Sequence, residues 1–205
     1  SEQMTVTEPS ASTAGTASID IDLGTVNIQV VGDDSAGIYA EANGGAVSIT
    51  PGSGVVWFYG GNGVDGSGVY PDMTGISAIS TGGNVDITNN AYVYVEGYQD
   101  GVSTSTGLNG VTSGAGTVTI VSNHEVDAYG TGINAVSGAG AINIDANSYT
   151  YAYGTGSVGD GISAVSTTGA ITIDQDVAGY IYAFNDGIFA SSTSAGDVSV
   201  TNGAQ

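Results

Sequence analysis

The stretch Gly132–Asp145, GINAVSGAGAINID, is followed 29 residues later by Gly161–Asp174, GISAVSTTGAITID. The same frame recurs as GIYAEANGGAVSI from Gly37, GISAISTGGNVDI from Gly75, GLNGVTSGAGTVTI from Gly107 and GIFASSTSAGDVSV from Gly187. Its anchor glycines, Gly37, Gly75, Gly107, Gly132, Gly161 and Gly187, step by 38, 32, 25, 29 and 26 residues. A period that is regular in its apolar positions and loose between them marks a solenoid, because insertions are tolerated where one coil turns into the next. At the Gly107 level the segment DGVSTS, Asp100 to Ser105, is an alternative occupant of the slot.

Within each copy the apolar residues alternate with period two, which places them on one face of a strand. The first strand offers Ile38/Ala40, Ile76/Ala78, Ile133/Ala135, Ile162/Ala164 and Ile188/Ala190. The second offers Val47/Ile49, Val85/Ile87, Val118/Ile120, Ile142/Ile144, Ile171/Ile173 and Val198/Val200, with the polar residues Ser48, Asp86, Thr119, Asn143, Thr172 and Ser199 between them. A third strand follows in VWFYG from Val56, VYVEG from Val93, VDAYG from Val126, TYAYG from Thr150 and IYAFN from Ile181. One coil cannot bury its own apolar face, but stacked coils pair backbone with backbone at about 4.8 Å and close a continuous narrow core. The fold class expected is therefore all-β: a parallel β-helix (β-solenoid) of about six coils, each with three short strands. The 35 glycines are expected at corners, supplying positive φ where the chain changes sheet. Residues 1–18 read as an N-terminal extension that exchanges a strand or caps, and 19–205 as the β-helix repeat domain.

Composition limits the partners. The chain has 205 residues, no Lys or Arg, 20 Asp plus Glu and one His, for a formal charge of -20. Phosphate neutralisation and attachment to anionic lipid both need cationic side chains, so nucleic acid and polybasic membrane binding are excluded as modes of action. No apolar run approaches the roughly 18 residues of a membrane helix, so direct membrane insertion is not expected. The chain opens at Ser1 on no charged-then-apolar leader, which suits a mature form or an excised piece. Without cysteine there is no disulfide frame and no thiol chemistry.

The grammar GIxAxS, a Gly corner, xVxI, then an alternating strand ending in Gly, resembles the passenger domains of autotransporter adhesins and filamentous-haemagglutinin-like exoproteins. It runs from about Ile19 to Thr201. The resemblance implies an exported β-helix at a microbial surface, structural or adhesive in role. Such passengers carry some Lys and Arg; this chain carries none.

Candidate chemistry is sparse. His124, in SNHEVDAYG, precedes a third strand, and adjacent strand residues such as Glu125 point to the opposite face, so a solvated corner is the reading. Asp20/Asp22 and Asp174/Asp176 sit two apart and share a face if extended, as the carboxylates of a polysaccharide-cleaving enzyme can; such sites commonly recruit cationic residues, which this chain lacks, so that reading ranks below a non-enzymatic one and no catalytic residue is assigned. GGNGVD at Gly60 to Asp65 matches the start of a Ca-binding nonapeptide, and DG opens segments at Asp100, Asp160 and Asp186. Ca²⁺ is the one cofactor suggested, with Asp65, Asp100, Asp160 and Asp186 as candidate ligands.

The third strand carries the strongest surface signal. If its apolar column faces inward, Trp57, Tyr59, Tyr94, Tyr129, Tyr151, Tyr153, Tyr182 and Phe184 face outward as a ladder of rings. Aromatic neighbours across strands stabilise a sheet by about 0.2 to 1 kcal/mol each without any ligand. A contiguous exposed apolar stripe also marks a contact surface, here for glycan or for another copy of the chain. The final coil stops after DVSVTNGAQ with no polar cap, so open strand edges are expected at its ends. The function expected is that of an extracellular structural protein at a cell surface, self-associating head to tail into a filament. A monomeric adhesin is the alternative.

Overall fold

In a computed structural model the described residues are 10–13, 16–25, 27–31, 36–59, 73–96, 105–154, 159–176 and 178–203. They form strands and corners with no helix. The first coil is β1 (Ser10–Thr13), β2 (Ile19–Leu23) and β3 (Asn27–Val31); the second is β4 (Ala36–Ala42), β5 (Val47–Pro51) and β6 (Val55–Tyr59). Next come β7 (Thr74–Ser80), β8 (Val85–Asn89) and β9 (Tyr92–Val95), then β10 (Thr106–Thr112), β11 (Val118–Ser122) and β12 (Val126–Ala128). The chain continues with β13 (Thr131–Ser137), β14 (Ile142–Ala146), β15 (Thr150–Ala152), β16 (Ile162–Ser166), β17 (Ile171–Gln175) and β18 (Ile181–Ala183). Two strands, β19 (Ile188–Ser192) and β20 (Val198–Asn202), close the described chain.

Every third strand pairs in parallel, giving sheets of order β1-β4-β7-β10-β13-β16-β19, β2-β5-β8-β11-β14-β17-β20 and β3-β6-β9-β12-β15-β18. This is a parallel β-solenoid with three strands to the coil, the fold class expected. The register sets like on like: Ile38, Ile76, Leu108, Ile133, Ile162 and Ile188 stand in one column, and Val47, Val85, Val118, Ile142, Ile171 and Val198 in another. The Gly107 level is thus β10 itself. Three inward faces meet in one core, whose large, fully buried members include Phe58, Ile76, Ile133 and Ile144. β-branched side chains fill it because they pack well on a pleated surface.

Within the segment read as a strand-exchanging or capping extension over residues 1–18, Ser10–Thr13 forms a strand that pairs in parallel with Tyr39 to Ala42. A sequence pattern built on Ile and Val could not register SAST as a strand. The glycines act differently from the expectation of positive φ, which among the described residues is found only at Gly44 (88°) and Gly54 (155°). Most of the others answer to close approach, Gly24 and Gly187 excepted, where nothing lies within 4 Å of a Cβ. A Cβ on Gly140 would lie far inside contact with the Gly116 carbonyl, and one on Gly116 likewise with Gly83.

The corner after the first strand carries a further device. The buried hydroxyls of Ser80, Thr112, Ser137 and Ser166 donate to the carbonyls of Gly45, Gly83, Gly116 and Gly140, one coil back, at 2.7, 3.1, 3.1 and 3.2 Å. The Ser166 oxygen also accepts the N–H of Gly169 at 2.9 Å, tying its own corner to the one below.

Candidate functional site

The third sheet (β3, β6, β9, β12, β15, β18) turns its apolar column, Phe58 included, inward and carries a series of Tyr, Trp and Phe rings on its outer face. Register places Trp57, Tyr94, Asp127, Tyr151 and Tyr182 in one outward column. Ring centroids lie 5.6 Å apart for Trp57–Tyr94, 6.4 Å for Tyr94–Tyr129, 5.4 Å for Tyr129–Tyr153, 5.9 Å for Tyr153–Tyr182 and 5.6 Å for Tyr182–Phe184. Tyr151 stacks on Tyr153 at 5.8 Å with planes 9° apart. Seven of the eight residues expected to form the ladder are therefore brought together. Tyr59 ends β6 opposite Val31, and its side chain lies outside the described residues.

Three rings were missed. Tyr92, Tyr149 and Tyr180 join the face, with Tyr149 and Tyr180 only 4.9 Å apart, so ten rings form one connected surface among the described residues. Each stands two positions before Tyr94, Tyr151 or Tyr182, on the same face by alternation. Extending the period by one step past the strand start would have found them. Exposure reaches 59% at Phe184 and 45% at Tyr182, toward the last coil.

Asp127 is the one carboxylate in the Trp57–Tyr182 column, and the rings leave it only 9% exposed. Its Oδ2 accepts a 3.3 Å hydrogen bond from the Tyr92 hydroxyl, while Oδ1 is buried without a partner. Burial pushes this carboxyl up to about 6; the Tyr92 bond pulls the other way and the Glu125 charge adds to the rise. The same environment acts on the phenols. Tyr153 is pushed up to about 12, first by burial and then by the charge of Asp127. Tyr92 and Tyr94 are held above the usual phenol range, chiefly by burial.

His124 sits exposed in the corner before β12, as expected, its Nδ1 accepting the N–H of Glu125 at 2.9 Å and its ring 6.1 Å from that of Tyr92. Asp20 and Asp22 are both exposed on β2, and Asp174 and Asp176 are both exposed around the end of β17. Asp174 is in register with Asp145 on the neighbouring coil.

Of the candidate calcium ligands, Asp65 and Asp100 lie outside the described residues, as does the GGNGVD motif. Asp160 and Asp186 come together on adjacent coils, but the Asp160 Oδ1 already accepts from the Asn185 Nδ2 at 2.7 Å and the Asp186 N–H at 3.3 Å. Among the described residues no group of three or more His, Cys, Asp or Glu is placed to hold a metal ion.

The last coil forms the other conspicuous surface. Val198 and Val200 are 46% and 45% exposed, whereas Ile171 and Ile173, in register one coil back, are fully buried. Between the three sheets a hollow of about 320 Å³ opens, lined by Gln175, Tyr180, Ile181, Gly187, Ile188 and Asn202. β18, β19 and β20 each stand at the edge of their sheet.

Compared with protein-family models, with curated proteins and with solved structures, the chain has no match.

Proposed function

We propose that the protein is a non-enzymatic, extracellular structural β-solenoid of a microbial surface that stacks head to tail into a filament. The observation carrying this reading is the last coil: apolar inward columns half exposed at Val198 and Val200, above an otherwise closed core. The occupant that fits is a second copy. At the other end β1, β2 and β3 stand at the edges of the same three sheets, and β2 and β3 carry Ile19, Ile21, Ile28 and Val30 in register with Val47, Ile49, Val56 and Phe58; Ile21 is half-buried and the other three are buried, so it is the strand edges that a joining copy would pair with. Parallel pairing across the joint would satisfy three strand edges at once, and a contact of one end with the other does not close, so it propagates. An exterior location suits a chain in which trypsin-like proteases find no Lys or Arg. It also suits the resemblance to exported passengers.

Self-repulsion opposes the joint, since each copy carries -20. Assembly is therefore expected to strengthen with ionic strength, which screens charge beyond about 10 Å at 0.1 M. Negative-stain electron microscopy of the purified chain, with and without Ca²⁺, tests the reading. Long unbranched fibres are expected; dispersed short rods under both conditions and at high salt would sink it.

A second reading rests on a separate observation, the ten-ring face, of which Trp57 is 39% exposed. It makes the protein an adhesin that meets glycan or another protein on the third sheet. Binding of a neutral oligosaccharide, lost on Trp57→Ala with the fold intact, separates this from assembly.

A further inference from the structure

Within the aromatic face one pair differs from the rest. The hydroxyls of Tyr151 and Tyr180 are 2.7 Å apart, with ring centroids at 5.4 Å and planes at 81°. The two residues are 29 apart in sequence and belong to adjacent coils, Tyr151 within β15 and Tyr180 just before β18. Tyr180 is 43% exposed, so an oxidant in solution reaches the pair. The residue inventory adds an independent point. With no cysteine and no lysine the chain can form neither a disulfide nor a lysine-derived cross-link, yet it carries 12 tyrosines. Phenol coupling is the covalent stapling chemistry that this composition leaves open.

We propose that Tyr151 and Tyr180 are a modification site, coupled to dityrosine by hydrogen peroxide acting through a peroxidase-type catalyst, so that one coil is bonded to the next. Each phenol gives up one electron and its hydroxyl proton, leaving a phenoxyl radical with spin density on the ring carbons beside the oxygen. The two radicals pair to form one bond between a Cε of each ring. The hydrogen on each coupled carbon then leaves as a proton while each oxygen takes one up, and both phenols are restored. In total two electrons and two protons go to one peroxide, whose O–O bond breaks to give two waters. The hydroxyl contact brings together the ring edges next to the oxygens, the edges that must bond. The inclined planes are compatible with the twisted biaryl that results.

The test uses the full chain, dilute, with hydrogen peroxide and a peroxidase. Digestion at acidic residues cuts at Asp160, Asp174 and Asp176 and so puts the two tyrosines in separate peptides. The expected product is a linked pair of those peptides, two hydrogens lighter than their sum, with dityrosine fluorescence. Tyr151→Phe and Tyr180→Phe should each abolish it. Tyr149→Phe, which removes the hydroxyl of the ring 4.9 Å from Tyr180, should leave it in place. Circular dichroism matching the parent shows that the variants fold. Three results overturn the proposal: dityrosine formed equally in Tyr151→Phe, coupling found only between chains, or coupling in the parent no more selective than in urea-unfolded protein.

Discussion

The Ser137 hydroxyl donates a 3.1 Å hydrogen bond to the Gly116 carbonyl, which lies one coil back at the same corner. Both partners are buried, and Ser80, Thr112 and Ser166 repeat the contact on other coils. The bond holds corner over corner, so the Ser of GIxAxS belongs to the stacking, not merely to a polar turn. Removing a donor leaves a buried carbonyl short of a partner. Ser137→Ala is expected to lower stability by about 1 to 2 kcal/mol, read as a lower urea midpoint at unchanged slope.

How much of this was legible depended on whether a feature repeats along the chain or only in space. Ile38, Ile76 and Ile133 announce their column because alternation and copy number agree. The Trp57 to Phe184 ladder follows once the inward column is set. Gly116 and Gly140 were legible as corner residues, but their reason was not, since the obstacle is a carbonyl on another coil. Alternation with Val126 and Ala128 places Asp127 on the outer face of its strand. Its burial arises from Tyr92 and its column neighbours closing over it, which no local pattern encodes.

Thr150 interrupts an inward column otherwise made by Val56, Val93, Val126 and Ile181. It is 1% exposed and its Oγ1 has no hydrogen-bond partner. Thr150→Val keeps the branched shape and removes an unsatisfied hydroxyl. A gain of about 1 kcal/mol is expected, seen as a higher thermal midpoint; a loss would mean that a buried water satisfies the hydroxyl.

Asp127 makes a pH-dependent contribution whose sign follows from its raised carboxyl. The folded chain holds this proton up to about 6, against an ordinary value of 3.8, so between these limits the folded state binds more protons than the unfolded. Stability from this group is therefore greatest below the ordinary value and declines as pH rises to about 6. Asp127→Asn removes the penalty. It is expected to gain about 1 to 2 kcal/mol at about pH 7 and almost nothing at about pH 3, measured as the difference in unfolding free energy between variant and parent at each pH. An equal gain at both would place the effect elsewhere than in ionisation.

Gly187 tests the stacking mechanism at the joint itself. On each preceding coil the anchor glycine has no room for a side chain: a Cβ on Gly132 or Gly161 would stand 2.6 Å from the carbonyl of the next anchor, Gly161 or Gly187. At Gly187 nothing lies within 4 Å of the same position. Gly161→Ala is accordingly expected to destabilise the single chain by about 3 kcal/mol or more, whereas Gly187→Ala should change it by no more than about 0.5 kcal/mol. If a second copy continues the solenoid, its backbone meets the new methyl where Gly187 meets Gly161. Gly187→Ala should then abolish fibres while leaving the monomer's unfolding curve unchanged, by electron microscopy and urea titration of the same sample. Fibres of normal length from Gly187→Ala would show that copies do not join by adding a coil in register at this end.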